Sequence, residues 1–219
     1  EAMKAGFGWE MGPFEMWDAV GFMEGLDIIK KLGLKTPYWI ENIGGNIDFK
    51  FYDLKQGVKY CYDIKTEKQT TIPGLENIIS LKSLDKSSLI WGNKEASILD
   101  IGDGIVNVSF HSKMNTIGSE ILQALNHAID LAEAGKYKGI VIANEGANFS
   151  AGANIGILFM LAAGQEYDEL EMAVKELQNT TMRLRYSSIP VVAAPHGMTL
   201  GGGCEICLHA DKVIAHAET

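Results

Sequence analysis

Residues 200–205 read Leu200-Gly201-Gly202-Gly203-Cys204-Glu205, three glycines directly before a carboxylate. Glycine has no Cβ, so it accepts positive φ and lets a backbone approach a ligand closely. The apolar run at 189–194 predicts a strand, and residues 205–210 read as the start of a helix. A strand, a glycine-rich turn and a helix N-terminus leave main-chain N–H groups unpaired and aimed at whatever lies above them. Such donors would stabilise negative oxygen, and Glu205 beside them would serve as a general acid or base. On these residues alone, a tight turn that merely packs a helix against a sheet is an equally good account.

A second segment shifts the balance. Asn148-Phe149-Ser150-Ala151-Gly152-Ala153-Asn154-Ile155 follows a predicted strand at 139–143 and precedes an apolar helix. Two small-residue turns of this kind, in sequential βα units, can lie side by side at the carboxyl ends of neighbouring strands, where open α/β sheets bind ligands. Together the segments resemble the crotonase (enoyl-CoA hydratase/isomerase) superfamily. The first is similar to its F-S-A-G-x-D-I turn and the second to its G-x-x-L-G-G-G-C-E turn, in the right order and with a long helical stretch between them.

The resemblance implies a chemistry. Adding water to an α,β-unsaturated thioester, or moving its double bond, places charge on the thioester oxygen as an enolate forms, and preorganised main-chain donors stabilise that charge. By position, the resemblance puts the oxyanion-hole amides at Ala153 and Gly202 and the carboxylate that handles water or a substrate proton at Glu205. It places further contacts to an acyl-CoA thioester at Ala151, Gly152, Asn154 and Gly201. Asn154 stands where the family usually carries aspartate; asparagine still caps a helix, but a role needing charge there is put in question. Hydratases of the family use a second glutamate further along, a position that falls beyond Thr219; Glu218 comes too early for it. The implied activity is enoyl-CoA hydratase. A double-bond isomerase is the alternative within the class, and a non-catalytic acyl-CoA-binding or assembly segment the alternative outside it.

The elements that would hold these turns lie in residues 95–219. Residues 97–101 and 104–110 read as strands joined through Gly102-Asp103, and Ile117, Ile121, Leu125 and Ile129 as the buried stripe of a helix closed by Gly135. Helices are expected at 155–163, 170–186 and 202–210, and further strands at 139–143, 189–194 and 212–215. Strands separated by helices imply an α/β fold with a parallel sheet and right-handed crossovers. The resemblance makes this the N-terminal half of a crotonase-like spiral of ββα units.

Residues 1–35 are rich in aromatics and methionine, with Val20, Met23, Ile28 and Leu32 marking an interrupted helical pattern ended by Gly33. Gly6-x-Gly8 lacks a third glycine and follows no predicted strand, which rules out a dinucleotide fingerprint. Gly12-Pro13-Phe14-Glu15-Met16-Trp17-Asp18 resembles the G-P-F-E-x-W-D signature at the end of the helical C-terminal domain of 3-hydroxyacyl-CoA dehydrogenases. These residues are expected to bury aromatics rather than to catalyse. Residues 36–94 read as a small β-rich linker, with 49–53 and 59–64 forming a hairpin around Gln56-Gly57 and short strands at 78–81 and 88–91. Together the two resemblances imply a fused 3-hydroxyacyl-CoA dehydrogenase/enoyl-CoA hydratase of fatty-acid β-oxidation. NAD then belongs to a dehydrogenase part outside these 219 residues, no cofactor is expected within them, and a longer protein is expected around them.

A chain with 47% hydrophobic and 21% charged residues is that of an ordinary folded protein. The net charge of −9 disfavours nucleic acid or an anionic membrane as a general partner. No run approaches the ~18 apolar residues of a membrane span, and no basic-then-apolar signal opens the sequence. Cys61, Cys204 and Cys207 make no disulfide scaffold, so a reducing cytoplasm is expected. Cys204 and Cys207 have redox-motif spacing but are expected to pack as small apolar residues. The five histidines fit no metal-ligand pattern. Assembly into a homo-oligomer through the crotonase-like part is the remaining partner the resemblance implies.

Overall fold

A computed structural model describes residues 2–43, 46–55, 57–75, 78–84, 86–217 and 219. The chain divides into two units, Glu1–Ser83 and Leu84–Thr219.

The first unit opens with α1 (Ala2–Phe7), α2 (Pro13–Val20), α3 (Phe22–Lys31) and α4 (Tyr38–Ile43). Pro13 occupies the first position of α2, where its fixed φ suits the helix and its missing N–H costs nothing. The Gly12 N–H donates to the Glu15 carboxylate at 2.7 Å, closing the same helix start from the other side. Gly21, at φ +102°, separates α2 from α3. That break rephases the helix. Of the stripe counted across it, Val20, Ile28 and Leu32 are therefore exposed and Met23 is half-buried against the core, while Phe22 and Leu26 are buried in it.

Three antiparallel strands follow: β1 (Tyr52–Lys55), β2 (Val58–Asp63) and β3 (Lys68–Thr71). The hairpin pairs Lys55 with Val58; Gln56, half of its expected turn, lies outside the described residues. Residues 78–81, expected as strand, run without regular structure into a 3-10 turn, Leu81–Ser83. Phe22, Leu26, Ile40, Ile43 and Phe51 form the core, with Trp17 and Tyr62 packed around it. Asp18 accepts the amides of Phe51 and Tyr52 at 2.8 and 2.9 Å, which ties α2 to the start of β1. Lys4 and Lys59 each bring an ammonium to 3.2 Å from Glu15. The Gly12 N–H bond first, then the two lysines, lower the Glu15 pKa from 4.5 to about 2.

The second unit holds β4 (Leu89–Gly92), β5 (Ala96–Asp100), β6 (Ile105–Phe110), α5 (Ser119–Glu133), β7 (Gly139–Ile142), α6 (Ile155–Ala163), α7 (Tyr167–Arg185), β8 (Val191–Ala193), α8 (Gly202–His209) and β9 (Lys212–Val213). Its sheet keeps sequence order from β4 to β9, antiparallel as far as β6 and parallel from there on. The sheet therefore begins at Leu89, ahead of the α/β pattern read from residue 95. Val106, Asn107 and Val108 are buried in succession, as in a strand covered on both faces. Ile121, Leu125, Ala128 and Ile129 bury one face of α5 against β5, β6 and β7. Each large aliphatic among them contributes about 1.5–3 kcal/mol. Ile117, expected on the same stripe, is also buried but precedes the helix and forms a parallel bridge with Ala153.

Helix α7 is anchored at one end. Arg183 donates to Asn126 at 2.8 Å and Asp130 at 2.6 Å on α5, and Thr180, Thr181 and Leu184 are buried, while the first half of α7 buries no residue. Helix α6 is almost wholly apolar yet also buries none; Ile155, Phe159 and Met160 are each more than 60% exposed, at 75%, 71% and 64%. Among the described residues no helix is long and apolar enough to cross a membrane.

The ionised Glu15 stabilises the folded chain because its pKa lies below the unfolded value. That contribution is full above pH 4.5 and is lost as the pH falls toward about 2. Glu15→Gln is expected to lower stability at neutral pH, with the difference from wild type shrinking through that acid window. Denaturant titrations of both proteins at several pH values check it; a gap that widens on acidification contradicts the assignment.

Candidate active site

Three segments, 114–117, 149–154 and 196–200, run side by side beyond the ends of the sheet strands, the first of them opening in a 3-10 turn at Lys113–Asn115. The amide of Ala151 donates to Met114 at 3.1 Å, Ile117 to Gly152 at 2.8 Å, Ser150 to Met198 at 3.0 Å and Leu200 to Ser150 at 3.0 Å. Each α/β repeat thus supplies a sheet strand and then one segment of this second layer, and the two candidate turns leave the layer next to each other.

Side chains lock it. Asn144, just past β7, is buried; its Oδ1 accepts the Phe110 amide at 2.6 Å and its Nδ2 donates to the Phe149 carbonyl at 2.7 Å. Ser150, fully buried, donates to the Asn115 carbonyl at 2.6 Å and accepts the Gly152 amide at 3.0 Å. Asn148 Oδ1 takes the Met198 amide at 3.0 Å. At the centre, a Cβ built on Gly152 would stand 2.7 Å from the Leu200 carbonyl oxygen, and φ there is +90°. Only glycine lets the two turns meet this closely.

The amides of Ala153 and Gly202 come together at this contact. A Cβ built on Gly202 would lie 3.5 Å from the Ala153 nitrogen, 3.3 Å from Ile117 Cδ1 and 3.7 Å from Leu177 Cδ2. The bridge to Ile117 uses the Gly152 carbonyl and the Asn154 amide, at 2.8 and 3.3 Å, which leaves the Ala153 N–H between them out of the ladder. Gly202 is the first residue of α8 after the N-cap Gly201, a position without an intrahelical acceptor. Among the described residues neither amide has an acceptor.

A pocket of about 200 Å³ opens beside the pair. Ala153, Asn154 and Glu205 line it; its apolar walls come from Ile117 ahead of α5, Leu122 on α5, Leu158 on α6 and Leu177 on α7. Ala151, Gly152 and Gly201 stand within the turns and not on the wall, and Gly202 is buried next to Ile117 and Leu177. Asn154 caps α6, with its Oδ1 3.4 Å from the Ile157 amide. Glu205 is exposed, and among the described residues its carboxylate has no hydrogen-bond or ion-pair partner. A second carboxylate, Glu176 on α7, also reaches the pocket and accepts the Ser119 hydroxyl at 3.0 Å. Of the two cysteines on α8, Cys204 is exposed, while burial first and Cys204 second push the Cys207 thiol up to about 11. Among the described residues no group of three or more potential ligands is placed to hold a metal ion.

A larger, more open cleft of about 600 Å³ lies in the first unit, beside Phe49 and Tyr62. Neither turn borders it, and two of its carboxylates are engaged already, Asp18 by main-chain amides and Asp53 by Lys55 at 3.0 Å. Sequence reasoning passed over Asn144, Asn148 and Glu176. The asparagines between a predicted strand and a predicted turn, in Ala143-Asn144-Glu145-Gly146-Ala147-Asn148, were the available signal for the first two.

This fold and this pair of turns belong to a known class. The chain is a member of the enoyl-CoA hydratase/isomerase family, whose profile matches residues 100–219. Over its whole length it is 39% identical to a protein of Bacillus subtilis (strain 168) named "Probable 3-hydroxyacyl-CoA dehydrogenase", of which it spans 27%. Over 55% of its length it is 32% identical to the fatty acid oxidation complex subunit alpha of Psychrobacter sp. (strain PRwf-1), of which 17% is covered. Among solved structures, an enoyl-CoA hydratase from Polaromonas sp. JS666 superposes with a TM-score of 0.53 at 25% identity, covering 57% of this chain and 49% of that one. The second unit has the mixed α/β fold of these crotonase-like enzymes.

Gly152→Ala is expected to destabilise the protein by about 1–3 kcal/mol from backbone strain, with the clash against Leu200 added to it. Chemical denaturation measures this. Wild-type stability in the variant would mean that the two turns are not in backbone contact.

Proposed function

We propose that the chain carries the enoyl-CoA hydratase part of a bifunctional fatty-acid β-oxidation enzyme. The observation that carries this reading is the pair of unpaired amides, Ala153 and Gly202, next to a pocket that Glu205 lines. The thioester oxygen of a 2-enoyl-CoA would accept both N–H groups. As water adds at Cβ, the electron pair of the double bond moves toward that oxygen, and the fixed dipoles stabilise the enolate without reorganising. Glu205 takes the proton that water loses. The enolate then collapses as Cα gains a proton, from the second glutamate that the family resemblance puts beyond Thr219. Asn154, which replaces the family's aspartate, caps α6 as a neutral residue and holds the Ala153 turn in place.

The same amides would serve a double-bond isomerase, and the family name covers both reactions. Residues 1–35 are read as the end of the helical dehydrogenase domain, residues 36–94 as the linker and 95–219 as the crotonase-like part. Identity along the whole chain to the Bacillus relative supports this division of labour. NAD does not fit the residues present: Gly6 and Gly8 stand at the end of α1 and not between a strand and a helix. No step here runs through it. The reading includes a cytoplasmic, homo-oligomeric enzyme acting on acyl-CoA, with no nucleic-acid or membrane partner.

In the full-length protein, Glu205→Gln is expected to slow crotonyl-CoA hydration by ~10²–10⁴-fold, since shape is kept and the base is lost. Turnover within about threefold of wild type would remove Glu205 from the mechanism, that being far below what a general base supplies. Steady-state assays with 3-enoyl-CoA alongside separate hydration from isomerisation. A second pair of variants isolates a main-chain donor. Helices accept proline at the position of Gly202, so Gly202→Pro removes the N–H with the helix start intact. Gly202→Ala keeps the N–H and asks Ile117 to yield slightly. The proline variant is expected to lose ~10²–10³-fold in kcat relative to the alanine variant; equal rates would show that the amide does not act.

A further inference from the structure

Two helices supply much of the pocket wall: Leu122 comes from α5, and Glu176, Leu177 and Thr181 come from α7. One helical turn beyond Leu122 stands Asn126, half-buried, with both amide protons and its oxygen engaged. Its Nδ2 donates to the Leu122 carbonyl at 2.9 Å and to the Thr180 hydroxyl at 2.8 Å. Its Oδ1 accepts Arg183 Nη1 at 2.8 Å. Thr180, 1% exposed, donates its own proton to the Glu176 carbonyl at 2.8 Å.

Each bond in this relay fixes the direction of the next. Arginine has only donors, so Arg183 turns Oδ1 toward itself and leaves Nδ2 to face Thr180. The Thr180 hydroxyl, donating to Glu176, is left to accept. The relay ends at the main-chain carbonyls of two pocket residues, Leu122 on α5 and Glu176 on α7. The helices therefore cannot part or slide at this end of the pocket without unpairing a polar group that is largely out of water, which is costly. We propose that Asn126 is a positioning residue for the pocket: it fixes how far α7 stands from α5, and so the width in which an acyl chain is gripped. The inference rests on the reading that this pocket takes the acyl group of a CoA thioester. Asn126 is not on the wall itself and acts through Leu122 and Leu177.

Saturated thioesters neither hydrate nor isomerise, so they report on the pocket without the reaction. Calorimetric titration of the full-length protein compares acetyl-CoA with butyryl-CoA, which is longer by two methylenes. One methylene buried in a fitted pocket is worth about fourfold in affinity, so the wild type is expected to bind butyryl-CoA about fifteenfold more tightly. Asn126→Ala and Thr180→Val break the relay from either helix. Each is expected to bring the ratio to within about fourfold, the worth of one methylene, and the double variant to lose no more. Thr180→Ser keeps the hydroxyl and is expected to keep the wild-type ratio. A ratio of affinities is insensitive to a fraction of inactive protein, so a loss of stability alone does not move it. If circular dichroism shows Asn126→Ala to be unfolded, the valine and serine variants of Thr180 carry the test. An unchanged ratio in the folded variants, losses that add in the double variant, or equal affinities in the wild type would overturn the positioning role and leave the proposed function standing. Binding of neither thioester by the wild type would overturn the acyl-CoA reading and the inference with it.

Discussion

Gly152 and Leu200 meet backbone to backbone, and the candidate site exists because they do. The space between them admits no Cβ, so the turn after β7 and the turn after β8 share one place instead of two. What brings them there is the second layer of hydrogen-bonded segments. Its hydrogen bonds continue the order of the sheet strands below, so strand register decides where each turn emerges. Asn144 fastens the two layers by bonding β6 at Phe110 and the turn at Phe149. A polar side chain buried in this way is favourable only when every group on it is satisfied, and Asn144 uses both its amide oxygen and its nitrogen.

The same region holds two donors that the fold does not satisfy. An N–H removed from water without an acceptor costs about 1–3 kcal/mol, and Gly202 is buried. The rest of the layer is well bonded on either side, so the cost is confined to one point and the geometry around it stays fixed. Local structure that violates a rule, surrounded by structure that obeys it, is where function is to be sought. The exposed Glu205 and the apolar walls complete the contrast, because a charge in water and a dry surface lie within one pocket.

Elements bounded by their own residues were legible in the sequence. Helix α6 spans Ile155–Ala163 as expected, because Asn154 caps one end and Gly164 follows the other. Strands β5 to β8 lie within a residue or two of their apolar runs. The pattern misled where a glycine reset the phase, as Gly21 did for Val20, Ile28 and Leu32. It was silent on β3, whose Lys68-Gln69-Thr70-Thr71 is polar and is held by pairing with β2. At the site, the glycines and Glu205 could be read because their motif is contiguous. The bonds of Asn144 to Phe110 and of Ser150 to Asn115 join residues 34 and 35 apart, and no local pattern encodes such pairs.

The uneven anchoring of α7 gives the pocket a gradient of motion. Its last turns are pinned to α5 by Arg183 and by buried Thr180, Thr181 and Leu184, whereas its first turns bury nothing. Local unfolding starts where few apolar contacts oppose it. Hydrogen exchange should therefore be fast from Tyr167 and slow toward Leu184, with the wall residues Val174 and Leu177 in between. The mouth of the pocket would breathe on a timescale of its own, while the floor beneath the amide pair exchanges only with the whole unit.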